Sequence, residues 1–192
     1  MDLPEDRDPV LHAHQIIPTN ATCYIFLFEN ELVGLEPYAS FSVDIECEEV
    51  APDVPCEDFD GNVNMSIDGI PLGGKSWDSI YGIDLNNVEC SMRIGGPEIS
   101  VYFNQIHHRM GTLTLKVMSH DGDMLRIYIR VSEDIDCLGL DEFELEFNAK
   151  FEGVDRSTAL DESGTKASDL IHLDGLTQKK SNFWTLPDSR TK

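Results

Sequence analysis

Between Thr112 and Val131 the chain reads TLTLKVMSHDGDMLRIYIRV. Leu113, Leu115 and Val117 alternate with Thr112, Thr114 and Lys116. Beyond a polar stretch, Leu125, Ile127, Ile129 and Val131 alternate with Arg126, Tyr128 and Arg130. A period of two on both sides of a polar Asp-Gly signals a β-hairpin with one buried face, and no helix can satisfy it. This feature constrains the fold more than any other in the sequence.

The register of the hairpin is testable on the sequence alone. A two-residue Asp121-Gly122 loop pairs Val117 with Arg126 and Leu115 with Tyr128, mixing core and solvent on one face. A three-residue loop, His120-Asp121-Gly122, puts Val117 opposite Leu125, Leu115 opposite Ile127 and Leu113 opposite Ile129. It also sets Gly122 where a left-handed residue is needed. The three-residue loop is therefore expected, at the cost of facing Lys116 with Arg126.

Other segments carry the same alternation. TCYIFLF, from Thr22 to Phe28, is apolar on both faces, which suits a central strand. A turn at Glu29-Asn30-Glu31 would lead to a short strand at Leu32-Val33. Phe41, Val43, Ile45 and Cys47 alternate with Ser42, Asp44, Glu46 and Glu48, giving a strand with an acidic outer face. Val63, Met65 and Ile67 mark another strand, and a short helix is expected near Trp77–Tyr81. A second hairpin is expected from Val88–Ile94 and Ile99–Phe103 across Gly95-Gly96. In it Met92 faces Ile99, Cys90 faces Val101, Val88 faces Phe103, and Arg93 faces Glu98. Phe143, Leu145, Phe147 and Phe151 mark a last strand backed by Glu142, Glu144 and Glu146. That glutamate ladder calls for cations, and Lys116, Arg126 and Arg130 of the central hairpin are the candidates.

Many short strands joined by Gly and Asp turns predict an all-β fold, an antiparallel sandwich or open barrel built from serial hairpins. The expected organisation is an irregular acidic arm over 1–19, one β domain over 20–154 and a mixed-charge tail over 155–192. The tail carries a short helix near Ala167–Leu173, and Phe183 and Trp184 dock its end on the body.

Charge narrows the partners. Among 192 residues, 36 Asp and Glu stand against 14 Lys and Arg, a net charge of −22. Residues 1–60 hold 15 acidic residues and one basic residue, a net of −14. Such a chain repels nucleic-acid phosphates and anionic membranes and attracts a basic protein. Five cysteines without a CxxC argue against a disulfide framework or a zinc knuckle. The acidic MDLPEDRDPV lacks the pattern of a secretion signal, and no apolar run reaches the roughly 20 residues of a membrane helix. A cytoplasmic protein is expected, and the sequons at Asn20 and Asn64 then carry no sugar.

Catalytic and cofactor motifs are weak. Gly69-Ile-Pro-Leu-Gly-Gly-Lys-Ser76 fits the pattern of a phosphate-binding loop, but the poor helix former WDSIYGIDLNN follows it and parallel α/β context is absent. Asp58-Phe-Asp-Gly-Asn-Val-Asn64 lacks the glycine and the glutamate that a calcium loop of the helix-loop-helix type needs, so an Asx turn is expected. His12/His14 and His107/His108 are read as surface residues. Ser119-His120-Asp121 cannot converge as a triad, because its members are consecutive in a turn. No cofactor, metal or catalytic set is expected.

The acidic faces remain as the candidate site: Asp44, Glu46, Glu48, Glu49, Glu57, Asp58 and Asp60, and separately Glu142, Glu144 and Glu146. The function expected from them is non-catalytic binding of a basic protein partner. Its most economical form is an immunity protein that neutralises a toxin effector. The alternatives are a sugar- or lipid-binding module lined by Trp77, Tyr81 and Tyr102, and a structural subunit of an assembly.

Overall fold

A computed structural model describes residues 9–53, 58–90, 95–136 and 139–187. The fold is all-β. Its strands are β1 (Pro18–Asn30), β2 (Leu35–Cys47), β3 (Val63–Pro71), β4 (Asp84–Glu89), β5 (Glu98–Phe103), β6 (Ile106–Asp121), β7 (Met124–Asp134), β8 (Phe143–Arg156), β9 (Thr177–Lys180) and β10 (Phe183–Thr185). Neighbours run β1-β2-β3-β5-β6-β7-β8 with antiparallel pairing throughout, and β8 then pairs with β1 in parallel.

The barrel is therefore closed and mixed, where the sequence suggested an antiparallel sandwich or an open barrel. The parallel seam follows from the strand count. When seven strands alternate in direction, the first and the last point the same way, so the ring can close only in parallel. Closure removes the exposed edges that an open sheet would present.

β4 stands outside this ring. It pairs with the second half of β6, Leu85 opposite Leu115 and Val88 opposite Leu113, while β5 uses the first half, Ile99 opposite Met110. The expected hairpin of Val88–Ile94 with Ile99–Phe103 does not form. Val88 faces β6, and the Cys90 N–H donates to the Gly111 carbonyl at 2.7 Å. Val101 and Phe103 face Met65 and Val63 on one side and His108 and Ile106 on the other. Met92, Arg93 and Ile94 lie outside the described residues. The tight turn sits one strand later. Asn104 and Gln105 hold positive φ, 47° and 63°, as both central residues of a two-residue hairpin require.

The β6–β7 hairpin forms two residues out of the expected register. Val117 faces Ile127, Leu115 faces Ile129 and Leu113 faces Val131. Because the slip is even, the same side chains stay inside. Gly122, at φ 59°, opens a two-residue loop with Asp123, and a bulge between Val117 and Ser119 absorbs the odd residue. Lys116 now faces Tyr128 and reaches Asp84 of β4 at 3.0 Å, so the like-charge contact with Arg126 disappears.

Side chains fill the barrel. Cys23, Ile25, Leu27, Phe41, Val43, Ile45, Met65, Ile67, Ile99 and Val101 meet Leu113, Leu115, Leu125, Ile127, Ile129, Ala149 and Phe151 in one buried cluster. Each of the Val, Leu, Ile, Phe and Met side chains among them contributes about 1.5–3 kcal/mol on burial. Trp77 and Tyr81 meet edge to face at 5.8 Å, and Tyr102 stands apart from them on β5. Trp77 is buried and stacks on Phe151, Tyr81 stacks on His120, and Tyr102 is exposed and stacks on His107.

Glu31–Val33 is a 3₁₀ turn instead of a strand, and Trp77–Gly82 is a second one. Residues 155–187 form two short helices, α1 (Leu160–Ser163) and α2 (Ala167–Leu170), followed by β9 and β10. β10 pairs with β8 through Trp184 and Val154, and Trp184 packs on the core. Before β1, Leu11 and Ile16 are buried. No helix of the described residues is long and apolar enough to cross a membrane.

Candidate functional site on the outer wall of the barrel

Inward and outward side chains alternate along β1. Cys23, Ile25 and Leu27 fill the barrel, and Thr22, Tyr24, Phe26 and Phe28 are half-buried on its outer wall. An outer wall of this kind is ordinarily polar, because only one face of the strand meets the core. Here three aromatic rings in a row stand outside, and Tyr38 of β2 joins them opposite Phe28. Phe26 and Phe28 stack with centroids 5.6 Å apart, and Phe28 meets Tyr38 edge to face at 6.3 Å. Ser42 and Ser40, opposite Tyr24 and Phe26, are 3% exposed and lie beneath the rings. Tyr24 shares a hydrogen bond with Ser42, and Tyr38 with Ser40.

Carboxylates border this strip. Asp44 of β2 lies one outward step from Ser42, and Glu46 lies one step further. Asp68 of β3 stands opposite Glu98 of β5. Asp155 of β8 faces Phe26 across the parallel seam, and Glu152 bulges out where the seam shifts register between Cys23 and Tyr24. Gly153 permits that shift. Its φ is +138°, and a Cβ there would lie 2.0 Å from the Trp184 carbonyl oxygen. Only glycine lets β1 and β10 both approach β8 at this point.

The electrostatics of the strip are of one sign. Burial raises the Asp44 pKa, and Asp68 and Glu152 raise it further. The Tyr24 hydroxyl is pushed up to about 12, first by burial and then by Asp44 and Asp68, with the Ser42 hydrogen bond lowering it and Asp155 adding to the rise. Tyr38 is raised by burial and again by Asp68. Lys150 is exposed on the same wall beside Thr22. Its charge is not among those that move Asp44 or Tyr24. Asp44, Asp68, Glu152 and Asp155 take part in no ion pair among the described residues.

The acidic residues singled out in the sequence divide into three groups. Asp44 and Glu46 belong to this wall, and Glu46 accepts a hydrogen bond from Asn20 Nδ2 at 3.3 Å. Glu48 and Glu49 are exposed just beyond β2, and Asp58 is exposed in the following loop. Asp60 Oδ1 accepts from the Asn62 N–H at 3.0 Å and from Asn62 Nδ2 at 2.6 Å, an Asx turn. Glu57 lies outside the described residues. Glu144 and Glu146 stand elsewhere, on β8 against β7, with Glu142 just before the strand. Arg130 Nε meets Glu142 Oε1 at 2.5 Å and Glu144 at 3.9 Å, and Arg126 pairs with Glu146. The ladder thus has its cations inside the chain.

Sequence reasoning missed Tyr24, Phe26, Phe28, Tyr38, Asp68, Glu98, Glu152 and Asp155. The shared parity of Tyr24, Phe26 and Phe28 was the available signal.

The remaining motifs resolve into structure. Gly69, Ile70 and Pro71 belong to β3, and Ser76 leads only into the six-residue 3₁₀ helix Trp77–Gly82, so the phosphate-loop pattern opens no α-helix; Gly69 (φ +68°) is glycine because a Cβ would strike the Gly96 carbonyl oxygen at 2.2 Å. His12 and His14 stack on each other, and His107 shares a hydrogen bond with Ser100 at 2.6 Å. His108 is not a surface residue. It is 4% exposed, neither ring nitrogen has a partner among the described residues, and burial lowers its pKa. Among the described residues no three His, Cys, Asp or Glu groups are placed to hold a metal. Set against known proteins, the chain matches no family model, no curated protein sequence and no solved structure.

Proposed function

We propose that this chain acts by binding a basic protein partner on the outer wall formed by β8, β1, β2, β3 and β5, with no chemistry of its own. The most economical form is an inhibitor, an immunity protein that covers a basic toxin enzyme in the cytoplasm. It works by steric occlusion and charge complementarity, with the clustered carboxylates speeding encounter and setting specificity. The observation that carries this reading is the gathering of Asp44, Asp68, Glu152 and Asp155 on one wall, none of them in an ion pair among the described residues, and with it the one-signed charge around Tyr24 and Asp44. Every charged group that perturbs either of them is an acid: Asp44, Asp68 and Asp155 at Tyr24, and Asp68 and Glu152 at Asp44. A closed barrel with a packed interior holds that field rigid, so little is lost to ordering on association.

The test is capture of a partner from the lysate of the source cell at low salt, repeated with Asp44→Asn, Glu46→Gln, Asp68→Asn and Glu152→Gln combined. A basic protein held by the native chain, released by moderate salt and lost by more than about tenfold in the combined variant is the expected result. Unchanged retention and unchanged salt dependence in the variant would overturn the reading.

A further inference from the structure

We infer that the strip of Phe26, Phe28 and Tyr38 is a seat for an arginine side chain of the basic partner, with Asp155, opposite Phe26 across the parallel seam, as its counter-ion. The inference rests on the acidic-wall reading and specifies which cation the wall takes. Its basis is an aromatic surface that the described residues leave half-exposed, bordered by carboxylates that form no ion pair among the described residues.

The rings themselves come first. Phe26 and Phe28 are half-buried and stacked, with Tyr38 at 86° to Phe28. An apolar partner surface would bury these rings, but it would also have to desolvate Asp155 opposite Phe26 and Asp68 beside Tyr38 without pairing them, a heavy cost. A cation removes the conflict. It lies over the negative face of the rings and meets the carboxylates at its edge.

Guanidinium fits this surface better than ammonium. It is planar and weakly hydrated, so it stacks on an aromatic ring with little desolvation cost, and its fork of donors can reach a carboxylate while stacked. Lysine is a compact, strongly hydrated charge that gains less from flat rings and can be held by the carboxylates alone.

The chain's own arginine in this region is committed elsewhere. Arg156 follows Asp155 on β8, but its guanidinium bonds Asp161 at 2.5 Å and the Thr165 carbonyl at 2.9 Å, with only 14% of its side chain exposed. Among the described residues Asp155 receives a long hydrogen bond from Asn182 Nδ2 at 3.4 Å. The wall is central in the barrel, with both edges of β1 paired, so the partner meets it through side chains and not by adding a strand.

The experiment measures binding of hexa-arginine and hexalysine peptides to the full chain by calorimetry at low ionic strength. It compares the native protein with Phe26→Leu/Phe28→Leu, which keeps apolar bulk and removes the rings, and with Asp44→Asn/Asp68→Asn/Asp155→Asn. Circular dichroism checks that each variant is folded, and Tyr38→Leu serves if the double phenylalanine variant is not. The expected result is that hexa-arginine binds about tenfold tighter than hexalysine, and that the leucine variant loses about fivefold for hexa-arginine with hexalysine unchanged. The carboxylate variant weakens both peptides. If the two peptides bind alike and the leucine variant is indifferent, the arginine seat is overturned and the acidic wall stands. If neither peptide binds, or if the carboxylate variant changes nothing, the acidic wall itself is overturned.

Discussion

Two acidic strand faces read alike in the sequence and behave differently in the molecule. At the start of β8, Glu144 and Glu146, with Glu142 just before the strand, alternate with Phe143, Leu145 and Phe147, and on β2 Asp44 and Glu46 alternate with Val43, Ile45 and Cys47. The first ladder lies against β7, where Arg126 and Arg130 neutralise it. The second lies between β1 and β3, whose outward residues are Tyr24, Phe26, Ser66 and Asp68, and it gains further acids from Glu152 and Asp155. The neighbouring strand, not the strand itself, decides whether a row of carboxylates is satisfied within the chain or left for something outside it.

The largest effect is expected where the two faces meet. β8 leaves β7 at Lys150 and continues along β1, with Gly153 at the switch. Gly153→Ala sets a Cβ against the Trp184 carbonyl at a φ that alanine avoids. A loss of about 2–4 kcal/mol is expected in denaturant unfolding, with the β8–β10 pairing disrupted. An alanine variant of native stability would show that the close approach is not required.

Next comes inversion of the comparison. Arg126→Gln/Arg130→Gln leaves the β8 ladder without cations. These pairs are exposed, so the thermal midpoint should fall by no more than roughly a few degrees. The same variant should gain a second site for hexalysine, seen as doubled stoichiometry. An unchanged stoichiometry would mean that unpaired carboxylates alone do not recruit a cation.

A smaller effect probes the interior behind both faces. Burial lowers the His108 pKa below 6.5, although Asp134 and Asp136 oppose the shift. A base held neutral in the fold and protonated when unfolded contributes stability that is complete above pH 6.5. That stability is lost as the pH falls through the lower folded value, because the unfolded chain binds the extra proton. Acid unfolding should therefore begin at a lower pH in His108→Leu than in the native chain. Coincident curves would remove His108 as the cause.

The smallest effect reads the field directly. Tyr24 should titrate near 12, as followed by NMR, and Asp44→Asn/Asp68→Asn should lower that midpoint while leaving it above 10 because burial is the first cause. Glu142→Gln/Glu144→Gln should leave it where it is. A Tyr24 midpoint that ignores Asp44 and Asp68 would break the contrast between the two faces at its source.

Much of the fold was legible in the sequence, and the errors have identifiable causes. The Glu142–Glu146 ladder was matched with Arg126 and Arg130 because charges of opposite sign sat on adjacent alternating strands. The Val88–Ile94 hairpin failed because Gly95-Gly96 looked like a turn. Gly96 instead lies against Gly69, and the tight turn falls at Asn104-Gln105, which contains no glycine. Of the candidate site, Asp44 and Glu46 were legible as an acidic outer face. The aromatic strip was not, since an apolar strand reads as central whether its second face is covered or bare.

Alternation along a strand is local. Side chains at i and i+2 share a face whatever the strand pairs with, so the sequence by itself determined the all-β class and most of the inward set, from Ile25 to Val131. Which strands become neighbours is not local. Seven alternating strands had to close in parallel, β4 and β5 had to share one edge of β6, and β1 had to lie between β2 and β8. Only that arrangement gathered Tyr24, Phe26, Phe28 and Tyr38 with Asp44, Asp68, Glu152 and Asp155 on one wall, because pairing energy is shared by residues far apart in the chain and is realised only when the barrel closes.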